Sequence, residues 1–585
     1  MIAYRIAVAD PHAHLFRVTL EVPEPAAEQR LSLPVWIPGS YMVREFGRHL
    51  SQLEARQGKR SVPLQQLDKT TWLARCGGKA PLLVSYLVYA FDTSVRTAFL
   101  DANRGFFNHT SLCLRVEGRE AEPHQVRLES LPKGWEVATA MPPGAKRGEY
   151  QAADYDELAD HPVELGRFWR GRFEAAGVPH EFVVAGALPS FDGERLLADA
   201  KRICEAQIAF WHGQPGKKGA SKPPFQRYVF MLNAVEDGYG GLEHRASTAL
   251  IAARRELPRR GQAGQTEGYV TLLGLISHEY FHTWNVKRLK PAEFARYDYT
   301  RENYTELLWF FEGFTSYYDD LMLVRSGLID EARYLKLVGK TLAGVLGMPG
   351  RRVQSVAQAS FDAWVKYYRQ DENTPNATVS YYTKGALVAL ALDLTLRSEG
   401  RRGATLDQVM QRLWAKSGGG PISEQDIAEA VHAVAGRSLR EELEAWVHGT
   451  EDLPLPALLE RAGISLRDEP AGGLAAALGL KLSEGPVSGI QVKSVLRGSP
   501  AERAGLSPGD ELLAADGWRI RRLDDALAWL QAGGSFELLA VRDQRVFSVR
   551  VAPPKASELP RTPSLALADK APKAAVALRR AWLNG

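Results

Sequence analysis

The nine residues Ser277-His278-Glu279-Tyr280-Phe281-His282-Thr283-Trp284-Asn285 contain the pattern H-E-x-x-H. On a helix, side chains four apart share a face, so His278 and His282 present two imidazoles one turn apart. Two neutral ring nitrogens at that spacing can hold one zinc ion. Glu279, beside the first of them, is then placed to act as general base on a water the ion activates. The run before the pattern, residues 269–276, is apolar enough for a buried helix. A buried helix carrying two histidines and a glutamate needs compensation, because unpaired polar groups are costly away from water. The pattern is short enough to arise by chance, so its meaning depends on the rest of the chain.

A catalytic zinc takes a third protein ligand and keeps one open position. Glu302, Glu306 and Glu312 follow at reachable positions. Glu312 is a single charge in Trp309-Phe310-Phe311-Glu312-Gly313-Phe314-Thr315-Ser316-Tyr317-Tyr318, among aromatic residues that belong in a core. A buried carboxylate requires a partner, and a metal cation supplies one. Glu302 and Glu306 lie in a polar stretch and read as surface residues. The expected metal set is His278, His282 and Glu312, with one Zn2+ per chain.

These residues need a scaffold. At 585 residues the chain is too long for one ordinary core, so three or more domains are expected. Hydrophobic content of 45% and charged content of 24% are those of a soluble globular protein. The net charge is +4 and no long basic run appears, so neither nucleic acid nor a membrane surface is implied as a partner. Cys76, Cys113 and Cys204 contain no C-x-x-C pattern. That argues against a disulfide framework and a thiolate metal site, and they read as buried free thiols. No signal peptide is visible at the N-terminus and no apolar run could span a bilayer, so a cytoplasmic location is the default expectation.

Residues 1–165 read as an all-β domain, with period-two alternation at 4–8, 15–22 and 82–89. The stretches at 36–41 and 104–108 read as ordered loops, with turn chemistry preferred over a place at an active site. Residues 166–455 are α+β at first and then mostly helical. They include a helix over 194–212, a strand over 226–232, a glycine-rich turn at 237–241, and long helical patterns over 306–323, 381–397 and 406–449. Residues 470–552 form a further unit, with a short helix and tight turn at 498–512 between strands. Residues 553–585 read as a Pro/Ala-rich tail with a short terminal helix.

His278-Glu279-x-x-His282 followed by Glu312-Gly313-Phe314-Thr315-x-Tyr317 resembles the gluzincin metallopeptidases. Gly240-Gly241-Leu242-Glu243-His244 lies about where their aminopeptidase branch has its G-x-M-E-N edge strand. Tyr382-Thr383-Lys384-Gly385 resembles that branch's Y-x-K-G motif. The spacing departs from the large alanyl and leucyl aminopeptidases: residues 283–311 intervene between His282 and Glu312, and an insertion around 290–302 would explain the excess. The stretch 278–288, the 36–41 loop and a C-terminal PDZ-like segment together resemble the glycyl aminopeptidase family, over roughly residues 1–552. The implied fold is multidomain α+β. It has a β-sandwich-like N-terminal domain, a thermolysin-like gluzincin catalytic domain with a helical C-terminal part, and a PDZ domain.

The resemblance also implies roles. Glu243 would hold the substrate's free α-amine, with Gly240 and Gly241 beside it on the edge strand. Glu279 would be the base, and Tyr382 would stabilise the tetrahedral oxyanion, preferred over Tyr381 by its place in the motif. The implied activity is zinc-dependent removal of N-terminal residues from peptides with a free N-terminus, favouring glycine and alanine. His244 reads as a satisfied polar residue rather than a ligand. Leu478-Gly479-Leu480 could form a PDZ carboxylate-binding loop, for a peptide or protein C-terminus, or could simply be packing. Two other readings stay open: a gluzincin endopeptidase with Glu243 only structural, and a peptide-binding scaffold with an inactive peptidase domain.

Overall fold

Period-two alternation at the N-terminus becomes paired sheet. Strands Ile2–Asp10 and Leu15–Val22 run antiparallel and bury every second residue, Ile2, Tyr4 and Ile6 against Phe16, Val18 and Leu20. They lie inside a seven-stranded sheet, and two four-stranded sheets complete the all-β part. Tyr4, Tyr86 and Tyr155 fill its core and donate their hydroxyls to the carbonyls of Leu114, Leu112 and Cys113, each at 2.7 Å, so burial leaves none of these three phenols unsatisfied. Residues 104–107, expected as a loop, are the strand Arg104–Phe107, paired with Ala98–Leu100 and Val163–Gly166. Gly105 signals a turn in sequence, but here it makes room for the side chains of Leu165 and Trp135.

The computed structural model describes residues 1–530, 534–553, 559 and 561–585, and the chain divides into two units. The first comprises Met1–Tyr304, Tyr318–Leu328 and Trp414–Ile422. Beyond the all-β part it holds a five-stranded sheet ordered Trp169–Ala175, Val178–Ala185, Tyr228–Val235, Ser247–Ala253, Tyr239–Glu243. The last strand lies at the edge and is antiparallel to its neighbour. Helices Gly193–His212 and Glu267–Phe281 pack on each other in this unit.

The second unit comprises Thr305–Tyr317, Ile329–Leu413 and Ser423–Gly585. Its helical part includes Leu308–Phe311, Glu331–Leu346 and Tyr381–Glu399. The helical pattern read over 306–323 is two helices, Leu308–Phe311 and Gly313–Arg325, with Glu312 at the break. A six-stranded sheet runs from Leu480–Gly485 to Arg545–Val551, with the short helix Pro500–Arg503 between its second and third strands.

The C-terminal residues are more than a tail. Strand Arg561–Leu567 pairs antiparallel with Ile464–Pro470, and helix Lys573–Asn584 buries Trp582. The Pro/Ala-rich residues 554–558 and residue 560 lie outside the described residues. Cys113 and Cys204 are buried free thiols, while Cys76 is only partly buried. Among the described residues no helix is long and apolar enough to cross a membrane.

Candidate metal centre and active site

Helix Glu267–Phe281 begins at Thr266, whose hydroxyl accepts from the Tyr269 N–H at 3.1 Å, and His282 is its C-terminal cap. Its functional end is braced by side chains from its own unit. Gln207 Nε2 donates to the Ser277 carbonyl at 2.8 Å. Tyr280 Oη meets His180 Nε2 at 2.8 Å, and Trp284 Nε1 donates to His212 Nε2 at 2.7 Å. Each is a buried polar pair, so the helix end is fixed in position as well as in depth.

The two motif histidines are oriented by partners the sequence did not announce. His278 Nδ1 lies 3.0 Å from Asp319 Oδ2, and His282 Nδ1 donates to the Asn285 carbonyl at 2.8 Å. Those bonds place the ring protons on Nδ1 and turn the Nε2 lone pairs toward each other, 3.0 Å apart. Two lone pairs at that distance repel unless a cation joins them. His278, His282 and Glu312 each offer one ligand atom, and these atoms all lie within 4.8 Å of one another. Glu312 is buried, 2% exposed, so the donor set is two neutral imidazoles and one carboxylate, the chemistry zinc takes.

Holding the Asn285 carbonyl in place costs backbone strain. The next residue, Val286, has φ of +105°, a region a β-branched residue avoids at a cost of about 1–3 kcal/mol. The turn is closed by Val286 N–H to the Leu289 carbonyl at 2.7 Å and Lys287 N–H to the His282 carbonyl at 3.1 Å.

Gly313 and Gly385 bring Glu312 and the tyrosines together. A Cβ on Gly313 would sit 2.6 Å from the Gly385 backbone, and one on Gly385 would sit 2.6 Å from the Trp309 carbonyl. Only glycine at both points lets the two helices touch, which accounts for the glycine in each motif. Tyr381 is fully buried, whereas Tyr382 is only half-buried. Burial and the nearby Glu312 charge hold the Tyr382 phenol well above its usual range, so it stays a neutral donor.

The edge strand presses on Glu279. A Cβ on Gly241 would lie 2.1 Å from Glu279 Oε1. Arg96 Nη2 holds the same residue by donating to the Gly241 carbonyl at 3.0 Å, and Gly240 has φ of +152°. Glu243, at the end of the strand, is buried. The 36–41 loop, read as plain turn chemistry, in fact packs on Glu243. Gly39 has φ of +95°, and a Cβ there would be 2.4 Å from Glu243 Oε1. Behind Glu243, Lys287 Nζ contacts Asp160 Oδ1 at 2.7 Å. Burial lowers the Lys287 pKa, but Asp160, with Tyr297 and Glu243 adding, raises it on balance, so a buried ammonium faces both carboxylates. His244 lies against Asp160 at 3.3 Å, and burial brings its pKa down to about 4.

Family models match two parts of this framework: the peptidase M61 N-terminal domain over residues 3–167 and M61 glycyl aminopeptidase over 271–388. A PDZ domain model matches 491–542. The crystal structure of an aminopeptidase N family protein from Idiomarina loihiensis is 38% identical, over 100% of both chains, with a TM-score of 0.92. This chain belongs to the M61 glycyl aminopeptidase family. An M1 zinc metallopeptidase from Deinococcus radiodurans is 16% identical over 78% of this chain and 95% of that one, with a TM-score of 0.48. No curated protein matches the chain. The family match spans the H-E-x-x-H motif, Glu312 and Tyr382 and stops short of Glu243, which precedes residue 271.

Proposed function

We propose that this M61 family member is a zinc-dependent aminopeptidase, with one zinc per chain held by His278, His282 and Glu312. The observation that carries the reading is the pair of Nε2 atoms 3.0 Å apart, their protons committed to the other ring nitrogens, beside a buried carboxylate. Bound there, zinc would polarise the scissile carbonyl and lower the pKa of water to about 7.

The chain's own residues do the rest. Glu279 takes a proton from the attacking water and delivers it to the leaving amine. Tyr382 directs its neutral hydroxyl at the oxyanion that develops on the substrate. Glu243 pairs with the substrate's α-ammonium, and Gly240 and Gly241 offer the edge strand's backbone to the first residues of the peptide. An amine anchor on the strand whose Gly241 packs against Glu279 limits cleavage to the N-terminal bond. The preferred substrates are peptides with small N-terminal residues, glycine or alanine, as membership of the glycyl aminopeptidase family suggests. The PDZ domain takes a peptide, and the protein works in the cytoplasm.

Metal analysis after gel filtration tests the centre. We expect about one zinc per chain in the wild type and a large loss in Glu312→Gln. Equal zinc in both would remove Glu312 from the ligand set. For the anchor, Glu243→Gln should raise KM for a glycyl anilide more than it lowers kcat. An unchanged KM would return Glu243 to a structural role and favour the endopeptidase reading.

A further inference from the structure

The segment 365–379 belongs to no motif, yet it touches the active-site tyrosines at one end and the PDZ domain at the other. The Tyr368 hydroxyl lies 3.1 Å from the Tyr382 hydroxyl. The Tyr367 ring centre is 5.2 Å from that of Tyr382 and 4.8 Å from that of Tyr381. Further along, Asn376 is buried, and its amide behaves like a peptide group: Nδ2 donates to the Val495 carbonyl at 2.9 Å, and Oδ1 accepts from the Arg497 N–H at 2.8 Å. The PDZ residues in this clamp sit at the root of its open edge strand. Val495 pairs with Leu480, and the intervening Leu496 N–H donates to the Gly479 carbonyl at 2.8 Å.

Residues 369–373 between the two ends are exposed and are tied to the next helix by the Asp371 N–H, which donates to Thr374 Oγ1 at 2.8 Å, whereas the chain from Asn376 toward Tyr381 is packed. Helix Thr374–Ala377 carries Asn376, and Thr378 just after it packs so closely on Gly350 that a Cβ there would be 2.2 Å from the Thr378 carbonyl oxygen. The Val379 N–H donates to Gln354 Oε1 at 3.2 Å. A displacement at Asn376 is therefore passed along residues 377–380 toward Tyr381 and Tyr382.

We propose that the PDZ domain is a fixed arm of the active site: through Asn376 it anchors the segment bearing Tyr368, and Tyr368 is a positioning residue for the Tyr382 hydroxyl. The inference rests on the reading of Tyr382 as the oxyanion donor. A phenol hydroxyl turns freely about its C–O bond, and the Glu312 charge nearby competes for its proton. A hydrogen bond from Tyr368 into the Tyr382 oxygen fixes the rotor and polarises it, leaving the Tyr382 proton for the substrate.

The test is steady-state hydrolysis of glycyl-p-nitroanilide by the full-length enzyme, with zinc content and melting temperature measured on every variant. Tyr368→Phe should lower kcat about tenfold, the worth of one oriented hydrogen bond, and leave KM unchanged. Asn376→Asp keeps the acceptor for Arg497 and loses the donor to Val495, and should lower kcat several-fold at constant KM. Asn376→Ala should lower it further. In a Tyr382→Phe background neither Tyr368→Phe nor the Asn376 variants should cost anything more. If Tyr382→Phe is impaired while Tyr368→Phe and both Asn376 variants keep wild-type kcat, the inference is overturned and the reading of Tyr382 survives. Full additivity with Tyr382→Phe also overturns it. If Tyr382→Phe itself keeps full kcat, the reading of Tyr382 falls and takes the inference with it.

Discussion

Two imidazoles whose Nε2 atoms lie 3.0 Å apart, with their Nδ1 atoms engaged elsewhere, favour a cation between them. Gly241→Ala places a methyl 2.1 Å from Glu279 Oε1, so the carboxylate must swing away from its working position. We expect kcat to fall about a hundredfold with zinc content unchanged, since small misplacements of a catalytic group cost on that order. A Gly241→Ala variant with full kcat would show that Glu279 is not held by this contact. At this scale, the nearness of His278, His282 and Glu312 could be read in advance. A four-residue helical spacing and one charge among aromatics are local signals. Asp319, Asn285, Arg96 and Lys287 could not be read, because each acts through a contact made only when distant or non-periodic segments fold together. Gly39 was visible as a turn residue, but that Glu243 lies against it is a tertiary fact.

Elements explain why the motifs contain what they contain. Glycines 313 and 385 are where two helices meet backbone to backbone, so Gly385→Ala should part Glu312 from Tyr382 and lower both zinc content and kcat. Retention of both would show that the helices can slide apart without consequence. The C-terminal helix is equally committed. Trp582 is fully buried and donates Nε1 to the Tyr317 hydroxyl at 2.7 Å, which in turn donates to Asp393 at 2.7 Å. Asp393 also accepts from Arg397 and from the Leu406 N–H. We expect Trp582→Ala to destabilise by about 3–5 kcal/mol, read as a shift in the denaturant midpoint, through the cavity and the lost donor. An unshifted midpoint would make the helix an appendage after all. Composition suggested a tail because the Pro/Ala-rich run before it hides a strand whose partner lies near residue 467. The pattern over 306–323 does not show the break at Glu312 because aromatic periodicity runs through it, and periodicity does not register an interruption at a single residue.

Taken whole, the molecule carries several histidines that fold neutral. Burial, against its hydrogen bond to the His161 carbonyl, brings the His109 pKa down to about 3, and burial brings that of His180 down to about 4. In the unfolded chain both protonate near pH 6.5, so below that pH the unfolded state binds more protons than the native state. Their stabilising contribution is complete above pH 6.5 and is lost as pH falls toward 4. Each contributes up to about 1.4 kcal/mol per pH unit across that window. The urea midpoint should therefore drop between pH 6.5 and pH 4.5, and His180→Gln should flatten part of the drop. A midpoint constant across that window would contradict it. The all-β start, the α+β middle and the PDZ unit were legible at this scale because strand alternation and turn glycines are local. The clamp between Asn376 and the PDZ domain was not, since one asparagine side chain carries it. The measurement that bears most directly on the central claim is hydrolysis of glycyl-p-nitroanilide beside N-acetylglycyl-p-nitroanilide, with and without chelator and with Glu279→Gln as control. We expect cleavage of the free-amine substrate alone, abolished by chelation, restored by zinc, and absent in Glu279→Gln. Equal cleavage of the acetylated substrate, or activity that survives metal removal, would contradict it.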